Sequence, residues 1–302
     1  MKIKPPFKEM SKTPKHHSTD NNLVIFPTYI ITNDSPYYQQ WPLWVKMLIT
    51  YTSRNCNGTC TFCIESNNKI KLEPYENIIF RINKAITEEE IKFIGFSDAT
   101  ATIQKEHILK VLNYIRDKEN IGMGVSSRIA LWDEDIAYAM RDTNSVVMFG
   151  FEHASPKLRQ LFKKEFTDEH YQFAIDSCKK YKIKCIFNIM TGFPEETTED
   201  RELNIKFFMS NPTVIPSTAV FCAMEGTELY KKYVNDGILR PGTMACTNIN
   251  YTEVLKHVAD LKQIIKERTS DGDISWLTNN VNIKDDVNAV SGVLAKQGII
   301  LS

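Results

Sequence analysis

The chain has 302 residues, 42% hydrophobic and 25% charged, enough for one large domain or two small ones with a real core. Lys+Arg and Asp+Glu both total 37, and this balance gives no sign of a nucleic-acid or membrane surface. The amino terminus has no apolar h-region and no apolar run reaches about 18 residues, so neither a signal peptide nor a membrane-spanning helix is expected.

Residues 1–40 read as a polar N-terminal arm, with Pro5, Pro6 and Pro14 in its first part. From residue 41 short β-rich runs alternate with longer segments of helical spacing. The strands expected are "WVKMLITY" (44–51), "IKFIGFS" (91–97), "IGMGVSS" (121–127), "SVVMFGF" (145–151), "KCIFNIM" (184–190) and "PSTAVFC" (216–222). Between them lie "YENIIFRINKAI", "KEHILKVLNYIRDK", "DEDIAYAMRD", "DEHYQFAIDSCKKY" and "RELNIKFFMS", all with helical periodicity. This alternation predicts βαβ units with a parallel sheet, and six units fit an α/β fold of the partial (β/α)6 TIM-like barrel type over residues 41–240. Residues 241–302 read as a helical C-terminal extension carrying "YTEVLKHVADLKQIIKERT" and "KDDVNAVSGVLAKQ".

Ligands of parallel α/β folds gather at the carboxyl ends of the strands. Cys56 follows the first strand by about five residues. Ser97 and Asp98 end the second strand, Ser127 and Arg128 the third, Glu152 the fourth and Cys222 the sixth. Of the remaining cysteines, Cys178 falls in an expected helix and Cys185 in an expected strand, which makes both core residues.

The segment "NCNGTCTFC" places Cys56, Cys60 and Cys63 on one loop. Seven cysteines without a secretion signal point to the cytoplasm and to metal or redox chemistry rather than disulfides. Three thiolates hold three corners of a metal centre. One reading is zinc completed by a distant His or Cys, although no second CxxC-like half is visible.

The spacing C-x3-C-x2-C, after a strand and with an aromatic before the third cysteine, resembles the radical S-adenosylmethionine (radical SAM) superfamily. "FGFEHASPKLRQLFKKEFT" (149–167), with Gly150, Glu152, Ser155, Lys164 and Thr167, resembles the cobalamin-binding class of that superfamily. "NIMTGFPEETTED" (188–200) and "AMEGTELYKKY" (223–233) resemble its segments after the fifth and sixth strands. Since 55 residues precede the loop, where cobalamin-binding relatives carry a domain of their own, no cobalamin is expected.

The resemblance implies that Cys56, Cys60 and Cys63 carry a [4Fe–4S] cluster, and that S-adenosylmethionine chelates the iron left without a cysteine. It implies a cofactor-binding set of Phe62 at the adenine, Ser97 and Asp98 at the ammonium, Ser127 and Arg128 at the carboxylate or ribose, Glu152 as a further ligand, and Lys164 at the carboxylate. For Asp98 a helix cap is the alternative, for Arg128 and Lys164 a surface charge, and Lys163 leaves the register open. Cys222 is either a hydrogen-atom donor in catalysis or a core thiol.

The expected activity is reductive cleavage of S-adenosylmethionine, with abstraction of a hydrogen atom from an unactivated carbon. The substrate expected is a ribosomally made peptide, processed by epimerisation, backbone splicing or rearrangement. A small molecule of sugar or antibiotic metabolism is the alternative. An external electron donor of the flavodoxin or ferredoxin type is implied, and a small peptide-recognition partner protein would serve a peptide substrate. The rival from another class is a non-catalytic zinc or iron–sulfur binding module.

Overall fold

The computed structural model describes residues 24–30, 43–89, 91–141 and 143–269. Its apolar runs pair into one seven-stranded sheet: β1 (Val24–Ile30), β2 (Leu43–Thr50), β5 (Phe93–Phe96), β6 (Gly122–Ser127), β7 (Val146–Glu152), β8 (Lys184–Thr191) and β9 (Val214–Val220), in that spatial order. The six strands from β2 to β9 are all parallel neighbours. Each strand lies beside the one before it, so right-handed crossovers return every helix to the same face. This is the expected partial (β/α)6 barrel.

A difference lies at the first edge. Residues 24–30, inside the expected polar arm, form β1, which runs antiparallel to β2 with Val24 opposite Ile49 and Ile30 opposite Leu43. The sequence "VIFPTYI" is apolar enough to pair, and its proline sits on an edge strand, where proline is tolerated. A two-stranded ribbon, β3 (Ser53–Arg54) with β4 (Lys71–Leu72), flanks the cysteine loop.

The crossover helices are α1 (Tyr75–Glu89), α2 (Lys105–Arg116), α3 (Glu134–Ala139), α5 (Asp168–Lys180) and α6 (Thr198–Ser210), each overlapping a segment of helical spacing, with α1 running three residues past its segment and α6 starting three before. Asp133 caps α3 by accepting from the Ile136 N–H at 3.0 Å, and Thr197 with Asp200 forms a capping box on α6. Two short helices, α4 (Pro156–Leu161) and α7 (Glu228–Asn235), lie in segments where no helix is expected from periodicity. The first predicted tail helix is α8 (Tyr251–Thr269); the second, at 284–297, lies outside the described residues.

The helices bury one core against the sheet. Phe149 is fully buried edge-on to Trp132 and Phe187, at 5.1 and 5.6 Å between ring centroids. Phe151 stacks on Phe207 at 4.6 Å. Cys178 and Cys185 are buried in this core, as expected, and burial together with the Cys178 contact pushes the Cys185 thiol well up. α8 closes on the carboxyl end of β8: Gly192, at φ +92°, approaches so closely that a Cβ there would lie 3.2 Å from Val254.

This packing can be probed at two places. Phe149→Ala removes a fully buried ring and should cost about 3–5 kcal/mol in urea unfolding; a loss under about 1 kcal/mol would contradict the packing. On α8, burial lowers His257 from 6.5 to about 4. Between those values the unfolded chain binds more protons, so stability should fall by about 3 kcal/mol as the pH drops from 6.5 to 4. His257→Gln should flatten that part of the profile, as read by denaturant midpoints at each pH.

Candidate active site

The cysteine loop starts where β2 ends, and Asp98 fastens its root. The Asp98 carboxylate is 4% exposed. Oδ1 accepts from the Ser53 N–H at 2.6 Å, the Thr52 hydroxyl at 2.7 Å and the Ser53 hydroxyl at 2.8 Å. The Thr52 N–H reaches both oxygens, at 3.1 and 3.0 Å. The Asp98 side chain, expected at an ammonium, holds the approach to Cys56. It does not cap a helix, because Thr100 stands before the 3-10 turn that follows and Gln104 before α2.

Beyond that root the loop is tied from several sides. Asn55 sits at φ +68°, a conformation asparagine tolerates. The Gly58 N–H donates to Cys56 Sγ at 3.3 Å, Asn68 N–H to Cys56 O at 2.9 Å, and the Ser66 hydroxyl to Cys60 O at 2.6 Å. From across the barrel, the Thr61 hydroxyl donates to Leu161 O at 2.9 Å, and Leu229 N–H donates to Thr61 O at 2.9 Å.

All three loop thiols are free and partly buried. Burial pushes the Cys63 thiol up and Cys60 and Cys56 add to that, while a hydrogen bond from the Glu65 backbone and, less strongly, Lys164 work in the opposite direction. The three sulfurs and the Lys164 ammonium thus act on one another.

Lys164 comes from the far side of the site, after β7. Its ammonium meets Glu152 Oε1 at 2.8 Å, with side chains only 8% and 10% exposed. Burial opposes its charge, but Glu152 and Cys60 outweigh that and raise its pKa. The ammonium also lies 5.5 Å over the Phe62 ring, whose edge packs on Phe162. Lys163 settles the register by turning outward to Glu228 at 2.7 Å. Glu152 has φ +67° at a break in the β7–β8 register. Gly150 makes room for the pair, since a Cβ there would lie 2.8 Å from Glu152 Oε1 and 2.9 Å from Lys164 Nζ.

Arg128 reaches over the cysteine loop: a Cβ on Gly58 would lie 3.5 Å from its Nη1, and its Nη2 pairs with Glu165 at 2.8 Å. Ser127 is buried and shares a 2.7 Å hydrogen bond with Thr102, which sets it behind the surface. Ser97 is exposed, donates to Thr50 O at 3.1 Å, and lines a cavity of about 560 Å³ with Tyr51, Ser53, Arg54, Asn55, Glu65 and Ala99. Cys222 is exposed just past β9, so the core reading of that thiol is set aside.

Sequence reading passes over Thr52 and Ser53, which anchor Asp98. It also passes over His153 and Asn204, which with Glu196 of the 188–200 segment form a buried polar group beside Glu152. The available signal is a histidine at the end of an otherwise apolar strand.

A family model described as the radical SAM superfamily matches residues 50–208. The chain belongs to the radical SAM superfamily. It is an enzyme whose cofactors are a [4Fe–4S] cluster and S-adenosylmethionine. The chain is similar to an uncharacterised methyltransferase of Pyrococcus horikoshii, with 28% identity over 215 residues, 69% of this chain and 47% of that protein. It is also similar to a tRNA-2-methylthio-N(6)-dimethylallyladenosine synthase of Thermosipho melanesiensis, with 23% identity over 79% of this chain and 56% of that protein. It spans about half the length of these curated relatives. Among solved structures, the radical S-adenosylmethionine methyltransferase TsrM of Kitasatospora setae superposes with a TM-score of 0.57 at 16% identity, over 65% of this chain and 38% of that one. The cobalamin-dependent radical enzyme OxsB superposes at 0.52 with 12% identity, over 83% and 50% of the respective chains. At these identities the superpositions speak for the fold.

The donor set suits the radical SAM cofactors. Thiolates are the normal ligands of iron–sulfur clusters, and a cubane spreads them over separate irons.

Breaking the buried pair from one side should be costly. Lys164→Met leaves Glu152 charged and buried and should lower unfolding stability by about 3–5 kcal/mol. Adding Glu152→Gln should restore most of it. A double variant no more stable than Lys164→Met would contradict the pairing.

Proposed function

We propose that this radical SAM enzyme opens an unactivated carbon–hydrogen bond of its substrate, with its cluster held by Cys56, Cys60 and Cys63. The observation that carries this is the meeting of the three-thiol loop, at Phe62, with the buried Glu152–Lys164 pair. When bound and reduced by one electron from an external donor, the cofactors supply a carbon-centred radical able to take a hydrogen atom from such a carbon.

Everything else is the work of the chain's own residues. The loop presents soft donors from a root clamped by Asp98, so their positions are fixed before any ligand arrives. Glu152 and Lys164 offer one carboxylate and one ammonium side by side, which matches a ligand with an amino group and a carboxylate. Phe62 gives an apolar wall for the adenine beside that pair, Arg128 a cation over the loop, and Ser97 a polar residue lining the cavity. Asp98 and Ser127 support these from behind. Cys222, exposed past the last strand, is the thiol available to return a hydrogen atom to a substrate radical.

The sequence favours a peptide substrate, but the two curated relatives bear the names of a methyltransferase and a tRNA-modifying synthase. The reading therefore keeps the radical step and drops the preference for a peptide. The first of these names favours a second reading, transfer of a methyl group.

The products separate the two. Anaerobically reduced protein given S-adenosylmethionine should release 5′-deoxyadenosine and methionine, whereas direct methyl transfer leaves S-adenosylhomocysteine. Replacing Cys56, Cys60 and Cys63 together by Ala should abolish bound iron and 5′-deoxyadenosine while far-UV circular dichroism is kept. Full iron content in the folded triple variant would sink the assignment.

A further inference from the structure

Glu152 is held in an uncommon backbone state. Its φ is +67°, and the His153 N–H donates back to Phe151 O at 2.9 Å, closing a γ-turn of the rare positive-φ kind on Glu152. Such strain persists only where the surroundings enforce it. Here the next three residues are each fastened by a buried polar partner. His153 is fully buried, and its Nδ1 accepts from the Ser155 N–H at 3.0 Å. The neutral ring then carries its proton on Nε2, which donates to Glu196 Oε1 at 3.0 Å. The Ala154 N–H donates to Asn204 Oδ1 at 2.8 Å. With that oxygen used, Asn204 Nδ2 lies 3.0 Å from His153 Nε2 and 3.4 Å from His257 Nε2; because His153 Nε2 carries the ring proton, His257 Nε2 is the nitrogen that can accept from it.

Glu196 is itself fixed from β8 and its exit. Its oxygens accept from the Thr191 hydroxyl at 2.8 and 2.9 Å and from the Gly192 N–H at 2.6 Å, and Arg201 lies 3.6 Å away. The side chain is wholly buried. Burial opposes its charge, yet the bonds from His153, Gly192 and Thr191 hold the carboxyl below the ordinary value. A charged carboxylate with this many donors is a firm post, and the His153 ring transmits it across 43 residues of sequence to the turn that aims Glu152.

We propose that Glu196, acting through His153, is a positioning residue that fixes the Glu152 turn and with it the Glu152–Lys164 pair that receives S-adenosylmethionine. The proposal rests on the cofactor role of Glu152 in the proposed function. Among the described residues, the Glu196 carboxylate bonds to His153, Thr191 and Gly192 and faces Arg201. Of these His153 alone adjoins Glu152, so the influence of Glu196 on the cofactor passes through the ring.

The test uses the full chain with its cluster reconstituted and reads S-adenosylmethionine affinity by equilibrium dialysis, together with amide hydrogen exchange over residues 152–155. Glu196→Gln turns one acceptor into a donor facing donors. It should weaken binding about tenfold and speed exchange at Ala154 and Ser155. In a Glu152→Ala background the same substitution should weaken binding no further. Additive losses would mean a general loss of structure and would overturn the proposal, as would unchanged exchange or unchanged affinity in Glu196→Gln. Should Glu152→Ala bind like the parent, the cofactor role of Glu152 fails and the proposal with it, and faster exchange in Glu196→Gln would mark that as the part that failed. His153→Asn keeps an acceptor for Ser155 while removing the donor to Glu196. It should reproduce the loss, and serves if Glu196→Gln does not fold.

Discussion

Three thiols share one partly buried loop, and a buried ammonium, that of Lys164, lies over the ring of Phe62 on the same loop. Burial and the neighbouring thiols push Cys63 up, while a hydrogen bond from the Glu65 backbone and, less strongly, the Lys164 ammonium work against that. Lys164 is buried too and keeps its proton through Glu152 and the nearby Cys60. The loop and the ion pair are therefore one electrostatic unit, built from segments about a hundred residues apart. Iron supplies the rest of the positive charge the thiolates need.

The sheet makes that meeting possible. Six parallel strands in sequential order bring every carboxyl end to one rim. The loop leaves the rim after β2, Asp98 clamps it from the end of β5, and Glu152 turns in from the end of β7. Thr61 ties the loop to the segments carrying Leu161 and Leu229, so its position is set across the barrel as well as along the chain. Rigid elements on several strands hold the donors, which suits a site that must align two cofactors and a carbon atom.

Much of this is legible in the sequence because parallel strands covered on both faces must be apolar throughout. The runs "SVVMFGF" and "KCIFNIM" appear in place as β7 and β8. The strand Val24–Ile30 escapes because prolines and charges earlier in the arm outweigh seven apolar-rich residues. Asp98 stands out by its position at a strand end, but position does not say whether a carboxylate faces a ligand or the chain's own N–H groups. The choice between Lys163 and Lys164 needs the turn after α4, and the His153–Glu196 contact joins segments that no periodicity connects. Local pattern reveals the elements and the cysteine loop; long-range polar pairs appear only with the fold.

The proposed chemistry stands or falls on three cysteines holding a cluster with one iron left for the cofactor. Electron paramagnetic resonance of the anaerobically reduced protein, with and without S-adenosylmethionine, is the decisive measurement. About four irons and four sulfides per chain are expected, with a reduced-cluster signal whose g-values shift when S-adenosylmethionine is added. A signal unmoved by saturating S-adenosylmethionine, or a protein carrying zinc in place of iron, would contradict it.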